Sequence, residues 1–76
     1  MGLRVSYFVE FFQIAPDGRR VRVHEETHHG ATLEHARRYA ASVMKYTTFS
    51  GIRADLGTIS DQRRAFLCEV PSEGRL

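Results

Sequence analysis

Thr32-Leu33-Glu34-His35-Ala36-Arg37-Arg38-Tyr39-Ala40-Ala41-Ser42-Val43-Met44-Lys45-Tyr46-Thr47-Thr48 is the only stretch of the chain with sustained helical periodicity. Leu33, Ala36, Ala40, Val43 and Thr47 recur at steps of three and four, and Met44 widens the apolar stripe. Glu34, Arg38, Ser42 and Lys45 fall on the opposite face, with Glu34 and Arg38 spaced for an i,i+4 ion pair. Thr32 can cap the helix by accepting from its first free N–H groups, and Glu34 in the first turn complements the helix dipole. Thr47, Thr48 and then Gly51 end it. One amphipathic helix needs an apolar surface to cover, and the flanking segments read as strands that supply it.

Upstream, Leu3 to Ile14 is rich in aromatic and β-branched residues, the composition of a strand. Ala15-Pro16-Asp17-Gly18 follows as a turn: Pro16 presets φ and Gly18 can take the left-handed position of a three-residue hairpin loop. Arg19 to about Glu26 returns as the second strand, and Thr27-His28-His29-Gly30-Ala31 reads as a break before the helix. Pairing Ala15 with Arg19 sets Gln13 opposite Val21, Phe11 opposite Val23 and Val9 opposite Glu25. One face then collects Leu3, Val5, Tyr7, Val9, Phe11, Val21 and Val23 for the helix to cover. The other collects Phe8, Glu10, Phe12 and Ile14 against Arg20, Arg22, His24 and Glu26. A one-residue slip would exchange the two sets.

Downstream, Ile52–Ile59 and Ala65–Val70 read as a second hairpin around Ser60-Asp61-Gln62-Arg63. Burial alone suggests pairing Thr58 with Phe66, Leu56 with Cys68 and Ala54 with Val70. Pro71 stops the strand, and 71–76 reads as a frayed tail. The expected fold is therefore α+β: a largely antiparallel four-stranded sheet in ββαββ order, one helix on one face, and a single domain over 1–76. The stretches Tyr7-Phe8-Val9-Glu10, Asp17-Gly18-Arg19-Arg20-Val21 and Thr32-Leu33-Glu34-His35-Ala36-Arg37 give a layout that resembles small bacterial domains of unknown function, built as hairpin, helix and hairpin. The resemblance implies a fold and no activity.

Composition limits what such a domain can be. A 76-residue chain buries only about 60% of the surface it exposes when unfolded. Small domains therefore gain much from a disulfide, a metal or a partner. The single cysteine, Cys68, excludes an intramolecular disulfide and suits a reducing cytoplasm. No apolar run approaches a membrane span, and no signal-peptide pattern opens the chain. The net charge is +2, with ten arginines and one lysine.

His24-Glu25-Glu26-Thr27-His28 matches the H-E-x-x-H pattern of zinc hydrolases, which requires a helix to bring the two imidazoles to one ion. On a strand the pair stands about 13 Å apart, so no catalytic zinc is expected, and the fold is expected to stand without metal or cofactor. His28, His29 and His35 could at most form an incidental metal site. Cys68 falls on an apolar strand face, where cysteine acts as a small hydrophobe. Tyr39 and Tyr46 flank the helix stripe as edge-of-core residues.

The informative feature is the sheet face the helix leaves uncovered. Phe8, Phe12 and Ile14 share it with Arg20, Arg22 and His24, and contiguous apolar patches on small proteins mark contact surfaces. The expected function is a non-enzymatic interaction module that self-associates through this face. The alternative is single-stranded nucleic-acid binding, with bases stacked on Phe8 and Phe12 and phosphates on Arg20 and Arg22.

Overall fold

The computed structural model describes residues 5–70. They form β1 (Val5–Ile14), β2 (Arg20–Ala31), α1 (Leu33–Tyr46), β3 (Leu56–Ser60) and β4 (Phe66–Val70). The strands make one antiparallel sheet in the order β2-β1-β3-β4, and α1 packs on one side of it. This is the expected ββαββ architecture. Leu3 and the 71–76 tail lie outside the described residues.

The helix starts and stops where its sequence directs. The Thr32 side chain accepts from the His35 N–H at 3.2 Å, and the Thr47 N–H donates to the Val43 carbonyl. Arg53 closes the far end by donating to the carbonyls of Met44 and Lys45, two groups a helix terminus leaves without intrahelical partners. Ala36, Ala40 and Val43 are buried, as the periodicity requires. Tyr46 instead stands exposed with the Lys45 ammonium over its ring, because it sits just beyond the apolar stripe in the last turn.

Tyr7, Val9, Phe11, Ile59 and Val70 meet this stripe from the sheet. Phe11 is fully buried and packs on Phe49, with ring centroids 5.1 Å apart and the planes tilted by 34°. Burying one such aromatic contributes roughly 1.5–3 kcal/mol, a large fraction of the stability of a thin core.

The first hairpin keeps its expected register near the turn, with Ile14 opposite Arg20, Gln13 opposite Val21 and Phe12 opposite Arg22. A bulge then leaves Val23 without an opposite residue, so Phe11 faces His24, Glu10 faces Glu25 and Val9 faces Glu26. Beyond Val23 the residues of β2 exchange faces. His24 and Glu26, expected on the outer face, lie on the helix side. The exchange gives each glutamate donors: Glu26 meets a tyrosine of the helix and two histidines, and Glu25 meets Arg64. Val21, expected in the core, remains 42% exposed near the hairpin tip. A second irregularity, with Gly30 at φ +65°, carries β2 through the expected break at Thr27–Ala31. These two bulges let twelve residues of β2 pair with ten of β1, and each adds local twist.

The second hairpin differs more from expectation. The strand does not begin at Ile52. Phe49 and Ile52 instead close a tight turn over left-handed Ser50 and Gly51, and β3 begins at Leu56. Its register is Gly57 opposite Val70, Thr58 opposite Glu69, Ile59 opposite Cys68 and Ser60 opposite Phe66. Leu67 bulges out, and Ile59 rather than Leu56 or Thr58 faces the helix. Ile59 is fully buried there and Val70 nearly so, while Phe66 stands exposed.

Candidate interaction surface

The outer face of the sheet reads as rows running across the strands, because opposed residues on antiparallel strands share a face. One row holds Thr27, Phe8, Ser60 and Phe66. The next holds Glu25, Glu10, Thr58 and Glu69. Then come Arg22, Phe12 and Leu56, and finally Arg20 and Ile14. Of the expected surface residues, the structure brings together Phe8, Phe12, Ile14, Arg20 and Arg22. It removes His24, which the Val23 bulge turns inward to stack on Phe49, with ring centroids 4.4 Å apart.

Three glutamates in one row would repel one another. Arginines from neighbouring rows separate them. Arg22 donates to Glu10 at 2.8 Å and lies 3.3 Å from Glu25. Arg64, in the β3–β4 turn, donates to Glu25 at 2.7 Å. Arg20 donates to Glu69 at 2.9 Å. The Arg64 hydrogen bond, helped by the charges of Arg64 and Arg22, holds the Glu25 carboxyl below its usual range against the opposing effect of desolvation.

Two of these pairs join β2 to the far side of the sheet. In a flat four-stranded sheet the edge strands stand roughly 14 Å apart, so Arg20 and Glu69 must both lie across the face to meet. Their arms and that of Arg64 cover its centre. Thr58 is only 6% exposed although no helix or strand among the described residues lies over it. The Arg64 guanidinium also sits 3.8 Å above the Phe8 ring, a cation–π contact. Phe8, Phe12 and Leu56 are consequently half-buried rather than open. The free apolar area lies at the borders, on Ile14 (40% exposed) and Phe66 (60%).

The surface also holds Glu25, Arg64, Glu69, Leu56 and Phe66, which the sequence alone does not place there. The first followed from the bulge. Arg64 follows from the turn, and Glu69, Leu56 and Phe66 from the parity of the second hairpin, for which the alternation Gly57, Ile59 and Cys68, Val70 is the available signal.

On the helix side, the H-E-x-x-H stretch resolves into a structural cluster. His24 Nε2 donates to one oxygen of Glu26 at 2.9 Å and His28 Nε2 to the other at 3.0 Å. The Tyr39 hydroxyl on α1 donates to the same carboxylate at 3.0 Å. Burial alone would raise the Glu26 pKa, but these hydrogen bonds outweigh it and the net shift is downward. Burial and the facing carboxylate raise Tyr39.

His28, His29 and His35 line an open depression of about 390 Å³ at the start of α1. One ring nitrogen of each of the first two is already bonded, His28 Nε2 to Glu26 and His29 Nδ1 to the Ser6 hydroxyl. Among the described residues no group of three or more His, Cys, Asp or Glu is placed to hold a metal ion. Cys68 is half-buried, and burial raises its thiol pKa against the opposing charge of Arg37. Among the same residues no helix is long and apolar enough to cross a membrane. No protein-family description, curated protein or solved structure matches the chain.

Proposed function

We propose that the protein is a non-enzymatic interaction module that self-associates through the outer face of its sheet. The observation that carries this reading is the uncovered face itself, bordered by Ile14 and Phe66 and floored by half-buried Phe8, Phe12 and Leu56. A small domain with a thin core gains by covering such a surface, at about 25 cal/mol per Å² of apolar area, and closed two-fold dimers are the commonest assembly. The electrostatics favour a protein partner over a nucleic acid. Arg20, Arg22 and Arg64 are matched by Glu10, Glu25 and Glu69 within the face, so a phosphate chain would have to displace carboxylates already in place. Binding through phosphates needs cations free to replace counterions.

Light scattering across a concentration series tests the proposal. The wild type is expected to be a dimer or larger at micromolar concentration, and Phe12→Asp to release folded monomers, with its circular dichroism retained. A wild type that stays monomeric at high micromolar concentration and copurifies with nucleic acid would reverse the reading. Loss of single-strand binding in Phe8→Ala would then assign the face to bases and phosphates.

A further inference from the structure

The charge rows on the outer face are ordered along the strands, and that order constrains how a second copy can sit. Resting on the self-association proposed above, we infer that two copies stack sheet on sheet about a two-fold axis running across the strands, between the Glu10 and Phe12 rows.

Along β1 the face presents Phe8, Glu10, Phe12 and Ile14, and along β2 it presents Thr27, Glu25, Arg22 and Arg20. The carboxylates Glu25, Glu10 and Glu69 therefore occupy one row, and the cations of β2, Arg22 and Arg20, lie toward the hairpin tip. Two sheets can face each other about an in-plane two-fold axis in two simple ways. An axis along the strands superposes each row on itself. It sets Glu25 of one copy over Glu69 of the other and Arg64 near its own equivalent, which brings like charges together at a desolvated surface.

An axis across the strands reverses the rows. Each β2 then lies over its symmetry mate, with Arg22 of one copy above Glu25 of the other, twice by symmetry, extending the pairs that both groups already make within their own sheet. The β1 strands also superpose, with Ile14 of one copy over Phe8 of the other. The exposed apolar residue at the hairpin tip thus meets the aromatic row at the other end of the face. Of the two arrangements, only the second sets opposite charges rather than like charges over one another, with Glu10 of each copy above Phe12 of the other.

Cross-linking separates the two. In a Cys68→Ser background, cysteines are introduced singly as Ile14→Cys and Ser60→Cys, and the proteins are treated with a bis-maleimide spanning about 10 Å, the usual distance between packed sheets. With the axis across the strands, Ile14 of one copy approaches Ser60 of the other, while the two copies of Ile14 stand roughly 20 Å apart along the strands. The expected result is a covalent dimer when the two variants are mixed, and little from either alone. Efficient self-cross-linking of each variant alone would overturn the inference in favour of the other axis. A dimer that cross-links in neither case uses another surface, which would overturn this inference and the outer-face proposal together. A monomer in light scattering would remove self-association itself. Circular dichroism of each variant confirms that the proteins compared are folded.

Discussion

The two hairpins close with the same turn and fill its critical position differently. In the first, the Ala15 N–H donates to the Arg19 carbonyl and the Gly18 N–H to the Ala15 carbonyl, both at 2.8 Å. In the second, the Asp61 N–H donates to the Ala65 carbonyl at 2.9 Å and the Arg64 N–H to the Asp61 carbonyl at 2.8 Å. Each turn has an aspartate that accepts a backbone N–H, Asp17 from Arg19 and Asp61 from Arg63 and Ala65. Each needs a left-handed residue to close: Gly18 at φ +89° and Arg64 at φ +69°. Glycine adopts that conformation without steric penalty, whereas a residue with a Cβ loses about 1–2 kcal/mol. Arg64 tolerates it because its guanidinium lies over Phe8 and bonds Glu25. The first turn is specified locally, and the second is held by what its side chain reaches on another strand. Strain of this kind persists only where surrounding contacts determine the conformation.

The largest effect is expected where both hairpins meet. Phe11 faces His24 on β2 and Gly57 on β3 and is fully buried. Phe11→Ala should cost about 3–5 kcal/mol in urea denaturation. A much smaller loss would mean that the two hairpins do not share one core.

Glu26 ties the first hairpin to the helix. Glu26→Gln removes the charge and offers one carbonyl oxygen to three donors, so a loss of about 1–3 kcal/mol is expected. The wild type should also show a pH dependence that the variant lacks. Because the folded pKa of Glu26 is lowered, the unfolded state takes up the proton first on acidification. The stabilisation is complete above the ordinary glutamate pKa and is lost as pH falls through the lowered folded value. Parallel wild-type and variant stability curves across that acid window would remove Glu26 from this role.

The Arg64 series divides strain from contact. Arg64→Ala keeps the left-handed penalty and loses the cation–π contact and the ion pair, and should cost about 1–2 kcal/mol. Arg64→Gly loses the same contacts but relieves the backbone, and should recover about 1 kcal/mol of that loss. Gly18→Ala introduces strain with no contact to offset it, since nothing lies within 4 Å of the added Cβ, and should cost about 1–2 kcal/mol. Equal stabilities for Arg64→Ala and Arg64→Gly would show that the two turns are not under the same constraint.

This difference between the turns also explains what could be read from the sequence. The helix, the first turn and the buried face of β1 depend on periodicity and on Pro16, Asp17 and Gly18, all local signals, and they stand as expected. The Val23 bulge brings Glu26 to Tyr39 on the helix and Glu25 to Arg64 in the far turn, contacts distant in the chain, so the inward turn of His24 has no local sign. The second turn carries arginine where a glycine would have announced it. With that signal missing and Leu67 bulged, the pairing of β3 with β4 came out on the wrong parity. Six of the eight residues expected on the outer face are there, and His24 and Glu26 are turned to the helix side. The arginine–glutamate rows that give the face its character arise from pairings between segments far apart in the chain.

The smallest effect sharpens the contrast between ion pairs fixed by the sheet and those free in solvent. Arg38 donates to Glu34 at 2.8 Å on the helix, a bond as short as the pairs on the outer face. Its side chains are 79% and 72% exposed, so water screens the attraction and both arms lose freedom in forming it. Arg38→Ala should therefore change stability by less than about 0.5 kcal/mol, within the range of i,i+4 pairs on isolated helices. Arg22 pairs at the same distance with Glu10, whose side chain is only 21% exposed, and it also separates Glu10 from Glu25. Arg22→Ala leaves two facing carboxylates bridged by Arg64 alone, so its cost should exceed that of Arg38→Ala and shrink as added salt screens the repulsion. Equal costs for the two substitutions at low salt would mean that the arginines of the outer face are ordinary surface charges, with no part in holding its rows together.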